Sequence, residues 1–165
     1  MPQEQVLARG KMERIGSSNS RITHWNLKTG KAESAKPLAN HREAVEMLRE
    51  LLGVGGELSA AEEIAAVGFK TVHGGPKFCG SFLVSEELLK AMREFLLPAP
   101  VHNAVYLDAL DVFREVLPDT PLVAVFETGF HRTIPEKAHL YGVPYEWHEK
   151  YGIRRYGFHG ASHRY

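Results

Sequence analysis

The chain is short of several things, and each shortage removes a class of protein. Cys79 is the only cysteine among 165 residues, which excludes an internal disulfide and any thiolate-rich zinc site built by this chain alone. No apolar run approaches the roughly 18 to 20 residues that a bilayer-spanning helix requires, and the polar opening from Met1 to Gln5 lacks the apolar core of a signal peptide. The expected location is the cytoplasm, with no membrane partner. Neither sign of charge is in excess: 20 Lys and Arg face 20 Asp and Glu, so there is no positive field to hold a nucleic-acid backbone by counterion release. No repeat, low-complexity tract or long linker breaks the sequence. What it does contain is 44% hydrophobic residues and nine histidines, and a chain of this length can bury roughly two thirds of its unfolded surface as one domain.

Local patterns predict the elements. Gly16, Ser17, Ser18 and Asn19 form a turn cluster within Val6 to Asn26, and the flanking segments suit a hairpin. Asn40 with Glu43 fits a capping box, after which Val45, Leu48, Leu51 and Leu52 share one face before Gly53. Ser59 and Glu62 repeat that capping pattern, and Ile64 to Val72 then turns apolar and β-branched, predicting a buried strand that ends at Gly74-Gly75. Ser85 caps a helix striped by Leu88, Leu89, Met92, Phe95 and Leu96, which Pro98 and Pro100 stop. Tyr106, Leu110, Phe113 and Leu117 recur at helical spacing, and Leu122 to Phe126 suits a strand covered on both faces. Helix, strand, helix, helix, strand is an α/β order: a mixed sheet flanked by helices, with function expected in the loops after the strands. Those loops are His73-Gly74-Gly75 and Glu127-Thr128-Gly129-Phe130-His131.

Four blocks, in order and at matching spacing, carry a resemblance. They are Val72-His73-Gly74-Gly75-Pro76-Lys77-Phe78, Ala99-Pro100-Val101-His102-Asn103, Val125-Phe126-Glu127-Thr128-Gly129-Phe130-His131, and Tyr156-Gly157-Phe158-His159-Gly160-Ala161-Ser162-His163. From Met12 onward the chain resembles the N-terminal domain of the acetate kinase family, two-domain enzymes of the sugar kinase, heat-shock ATPase and actin type. The resemblance implies that residues 1–165 make one partial N-terminal domain. The family's first strand with its Asn-x-Gly-Ser-Ser-Ser phosphate loop, and its C-terminal nucleotide domain, have no counterpart in these residues. It also implies phosphoryl transfer between ATP and acetate, with Mg2+, giving acetyl phosphate in the complete enzyme, and little activity in this chain alone. The expected partners are a small carboxylate, a second copy, or a complementary C-terminal chain.

Such a reaction brings two anions together, so cations and hydrogen-bond donors must surround the moving phosphoryl group. By resemblance His159 donates to the transferring group and His102 is a second imidazole beside it; read as residues alone, both suit loop histidines satisfied by carbonyls. Lys70 stands where the family has a carboxylate-gripping arginine, and an ammonium cannot make the bidentate pair of a guanidinium. Glu127 stands where the family has an aspartate, and one more methylene moves its oxygens by about 1.5 Å. Lys70 and Glu127 equally suit a plain ion pair at the ends of neighbouring strands. Val72, Val101 and Phe158 match the family's slot for the acyl methyl group, or are core residues.

Other readings remain open. The chain also suits a non-catalytic remnant that binds a small carboxylate, or one half of a split enzyme. His159 and His163, four apart, could share a zinc ion, although no glutamate follows His159 and Gly160 is a poor helix residue. His73 with Gly74-Gly75 reads as a turn first and a site second. Glu146, Glu149, Lys150, Arg154 and Arg155 read as a solvated charged face.

Overall fold

A computed structural model describes residues 5–54 and 64–165. The capping pair Ser59 and Glu62 lies outside them. The chain divides into two compact units, Met1–Ala65 with Ala109–Thr120, and Ala66–Asp108 with Pro121–Tyr165. Among the described residues no helix is long and apolar enough to cross a membrane.

The first unit holds an antiparallel sheet in the order β1 (Ala8–Glu13), β2 (Arg21–Asn26), β3 (Gly30–Ala35). The expected hairpin is β1 with β2, registered from Ala8 opposite Asn26 to Glu13 opposite Arg21. The buried Ser20 hydroxyl gathers its turn, donating to the carbonyls of Arg14 and Ser17 and accepting from the Leu38 amide. The third strand was not expected, because GKAESA has no apolar alternation. It follows from a side chain: Asn26 Oδ1 accepts from the Lys28 and Thr29 amides and the Thr29 hydroxyl, closing a tight turn into Gly30 at φ 73°. Helix α1 (His41–Val54) starts as predicted, with Asn40 Oδ1 accepting from the Glu43 amide and Glu43 reaching back to the Ala39 amide. It runs one residue past Gly53. Ile22, Leu38 and Ala44 form the buried centre, with Met12, Ile15, Met47 and Leu51 packed around it.

The second unit is built on a mixed sheet in the order β4 (Val67–Thr71), β6 (Leu122–Phe126), β5 (Ser81–Leu83). β4 and β6 run parallel, with Lys70 opposite Val125 and Thr71 opposite Phe126; β5 is antiparallel to β6. The β4 strand begins at Val67 rather than Ile64 and alternates instead of being buried throughout. β6 likewise has one open position, the exposed Val125, because its Val125 face turns toward the cavity described in the next subsection. Helix α2 (Glu86–Glu94) is capped by Ser85, whose hydroxyl accepts from the Leu88 amide, and buries Leu88, Leu89 and Met92. Helix α3 (Pro100–Val116) starts at Pro100, six residues earlier than the apolar spacing implied. The same proline that cannot extend α2 is well placed in the first turn of the next helix. Short helices α4 (Glu136–His139), α5 (Tyr145–Tyr151) and α6 (Gly160–Arg164) complete the unit.

Candidate active site

Parallel pairing of β4 with β6 delivers Lys70 and Glu127 to one end of the sheet. Val125 and Glu127 are two residues apart and project from the same side, and Val125 lies opposite Lys70. The result is an ion pair: Lys70 Nζ stands 3.0 Å from Glu127 Oε1. The two ends differ in environment, since the Glu127 side chain is 7% exposed and that of Lys70 62%. The hydrogen bond that Lys70 donates to Glu127 raises its ammonium above the ordinary lysine value; burial opposes that rise, while electrostatic interaction with Glu127 and Tyr106 adds to it.

Glu127 opens a 3₁₀ turn, Glu127–His131, whose backbone supports the GFHGASH segment. Gly160 lies so close to this turn that a Cβ there would sit 2.0 Å from the Glu127 carbonyl oxygen and 2.7 Å from Phe130 Cβ. Only glycine fits, which explains a glycine at the start of a helix. His159 holds the left-handed conformation immediately before it, at φ 57°, a costly position for a non-glycine residue that surrounding structure must enforce. His159 therefore precedes α6 rather than lying on it. His163, one turn later, stacks on Phe130 at 5.7 Å and sits edge-on to His131 at 5.4 Å. His131 Nε2 in turn lies 2.8 Å from the Phe158 carbonyl oxygen, tying the two segments together.

Lys70, Glu127, Phe130, Gly160, Arg164 and Tyr165 line one cavity of about 360 Å³. The ammonium, the carboxylate and the GFHGASH turn are thus brought to one place. Arg164 supplies a further cation that sequence reasoning missed; its position four residues after Gly160, one helical turn along α6, was the available signal. Tyr106 was missed too, having been read only as part of an apolar stripe. It adds to the electrostatic rise of the Lys70 ammonium. His102 lies exposed one turn earlier on the same helix, at the i−4 position from Tyr106.

The three residues assigned to the acyl slot are dispersed in environment. Val72 is buried directly after β4, Val101 is 74% exposed in the first turn of α3, and the half-open Phe158 lines a second cavity with His73. His73 behaves as the turn residue it resembled: it is fully buried, its Nδ1 accepts from the Gly75 amide at 2.9 Å, and Gly74 bridges to Phe78. Asn103 holds this turn, donating its side-chain amide to the carbonyls of His73, Met92 and Phe95 at 2.9, 3.2 and 3.4 Å. Glu146, Glu149, Lys150 and Arg155 are exposed as the solvated face requires, and Arg155 also donates to the Ala138 carbonyl; Arg154 alone departs, lying over the Tyr156 ring at 5.1 Å with its Nε buried and unpartnered. A bend at Gly152, at φ 65°, folds this segment back on the unit instead of continuing α5 into solvent.

Residues 1–165 match the acetokinase family. An acetate kinase of Carboxydothermus hydrogenoformans is 48% identical over 170 residues, covering all of this chain and 42% of its own length. The crystal structure of Porphyromonas gingivalis acetate kinase superposes with a TM-score of 0.87 at 38% identity, covering all of this chain and 42% of that one. A propionate kinase from Francisella tularensis gives the same TM-score at 33% identity, over 98% of this chain and 41% of its own. The chain thus spans about two fifths of the length of the curated relatives it matches, and by sequence, fold and placement of the GFHGASH turn it belongs to the acetokinase family.

Proposed function

We propose that this chain carries the carboxylate-binding half of a site for phosphoryl transfer between ATP and acetate. The observation that supports the reading is the meeting of Lys70, Glu127 and Gly160 around one cavity. In the forward reaction an acetate oxygen attacks the terminal phosphorus of ATP while the bond to the leaving ADP oxygen breaks, so negative charge on the transferring group must be met by donors. Lys70 draws in the acetate carboxylate as a point charge. By resemblance His159 and His102 would offer imidazole N–H groups to the phosphoryl oxygens and Val72, Val101 and Phe158 would receive the methyl end, although none of the five lines the Lys70–Glu127 cavity itself.

Among the described residues no three His, Cys, Asp or Glu side chains gather to hold a metal, and the Glu127 carboxylate is engaged by Lys70. Magnesium in phosphoryl-transfer sites is held by one or two carboxylates together with the substrate's phosphates, and Glu127 is the carboxylate this cavity would offer it. The 165 residues alone give no measurable turnover in this reading, because the nucleotide of such kinases is held in a cleft that two domains enclose. Hydroxamate trapping of acetyl phosphate from ATP and acetate should read blank for the isolated chain, and turnover above blank would overturn that expectation.

The carboxylate site itself is tested by titrating acetate while following the Lys70 and Glu127 side-chain resonances. Saturable shifts of both, tightened about tenfold by Lys70→Arg through a restored bidentate fork, are expected; resonances that stay still at saturating acetate would refute the assignment. One observation favours a second reading, a carboxylate-binding module or half of a split enzyme: Lys70 and Glu127 already satisfy each other, so acetate must compete with Glu127. Calorimetry separates the two, since a split enzyme gains ATP binding only when its complementary chain is added.

A further inference from the structure

The second unit contains another cavity, of about 400 Å³, walled by His73, Phe95, Tyr151, Arg154, Tyr156 and Phe158 among others and sharing no lining residue with the Lys70–Glu127 cavity. Two of its polar groups are unanswered. His73 is 0% exposed, and because its Nδ1 accepts the Gly75 amide, the proton of the neutral ring sits on Nε2. That Nε2 is buried and finds no partner among the described residues, and the same holds for Arg154 Nε. Both flank one ring: the Tyr156 centroid is 4.4 Å from that of His73, and Arg154 Cζ lies 5.1 Å from it.

The chemistry of a fitting guest follows from what is unmatched. Both unanswered lining groups are donors, and leaving a buried donor without an acceptor is unfavourable. The Tyr156 hydroxyl is not available, since it donates to the Gly152 carbonyl at 2.8 Å. Arg154 and Arg155 both line the cavity as cations, and Arg155 also donates to the Ala138 carbonyl. Burial lowers His73 to about 4, so its ring is neutral near pH 7 and offers a hydrogen bond rather than a charge. The remaining walls are aromatic: Phe95 stacks on His73 at 5.2 Å with planes 19° apart, and Phe158 lies at 6.1 Å. Flat apolar bodies suit such walls, and acetate is too small to fill the volume.

We propose that this cavity binds a small planar organic carboxylate, whose oxygens accept from His73 Nε2–H and Arg154 Nε–H while its flat body lies among Phe95, Tyr151 and Phe158. The cavity shares no lining residue with the Lys70–Glu127 cavity, and of the residues assigned to the acyl slot only Phe158 belongs to it. Benzoate is the probe. In the uniformly 15N-labelled chain at pH 7, benzoate should shift the His73 Nε2 and Arg154 Nε resonances saturably and leave Lys70 Nζ unmoved, with acetate and inorganic phosphate each at least about tenfold weaker. Arg154→Lys keeps the charge but loses the Nε–H, and should weaken benzoate about tenfold. Four results would overturn the proposal: no saturation by about 50 mM benzoate, phosphate binding as tightly as benzoate, shifts confined to Lys70, or unchanged affinity in Arg154→Lys. The resonances of the unsubstituted chain decide the matter even if the variant folds poorly.

Discussion

Burial of His73 should make the second unit acid-sensitive well above the range where carboxylates titrate. Its imidazole has an ordinary value of 6.5 that burial lowers to about 4 in the folded state. Between those values the unfolded chain binds a proton that the folded chain refuses, so protons favour unfolding and stability rises with pH. The contribution is complete above 6.5 and is lost as pH falls toward 4. A gap from 6.5 to about 4, at 1.36 kcal/mol per pH unit, amounts to about 3 kcal/mol in all, most of which is lost by pH 4.5.

The two tryptophans make this measurable, because Trp25 lies in the first unit and Trp147 in the second. In a Trp25→Phe background, urea unfolding followed by Trp147 fluorescence reports the second unit. The comparison is His73→Asn, whose side-chain oxygen can replace Nδ1 as acceptor for the Gly75 amide but cannot titrate. The parent should lose about 2 to 3 kcal/mol between pH 7.5 and 4.5 relative to that variant. Glu13 and Glu33, whose carboxyls are held below their ordinary 4.5 by hydrogen bonds from Lys11 and Lys31, belong to the first unit and matter only at lower pH. Stability curves of parent and variant that stay parallel to within about 0.5 kcal/mol across the window would show that His73 is solvated or partnered, and would remove the basis for its unanswered Nε2–H.

Three further outcomes are expected. Asn103→Ala removes a buried amide that serves three carbonyls and should cost about 2 to 3 kcal/mol in urea unfolding; a loss below about 0.5 kcal/mol would mean that water replaces it. Gly160→Ala would place a Cβ 2.0 Å from the Glu127 carbonyl and should destabilise by at least about 2 kcal/mol or displace α6, seen as shifted Glu127 and His163 amide resonances; a native-like spectrum with an unchanged melting temperature would contradict the close packing. Lys70→Met strands a buried carboxylate, whereas Glu127→Gln leaves an ammonium that is already mostly solvated. At pH 7 the first change should therefore cost about 1 to 2 kcal/mol and the second less, and the reverse order in thermal melts would be the refuting result.

How far the sequence could be read depended on whether a feature's cause was local. The α1 and α2 starts were legible because Asn40, Glu43 and Ser85 act within four residues of themselves. Lys70 and Glu127 could be placed together because two short apolar strands in an α/β order pair in parallel and end at the same side. β3 is also local in origin, but its signal is a single side-chain oxygen, Asn26 Oδ1, rather than an apolar period. β5 has only three residues and exists through its pairing with β6, 40 or so positions away in the chain. The same distinction separates the two cavities. Opposite charges at strand ends announce an ion pair from sequence, but an unanswered donor cannot be announced, because it is defined by which acceptors the fold fails to bring. His73 reads as a turn histidine and Arg154 as a surface cation until burial removes water from one and Tyr156 covers the other. The surplus of donors in that cavity is consequently a property of the packed unit, and it is there, more than in the motifs, that ligand preferences beyond acetate should be sought.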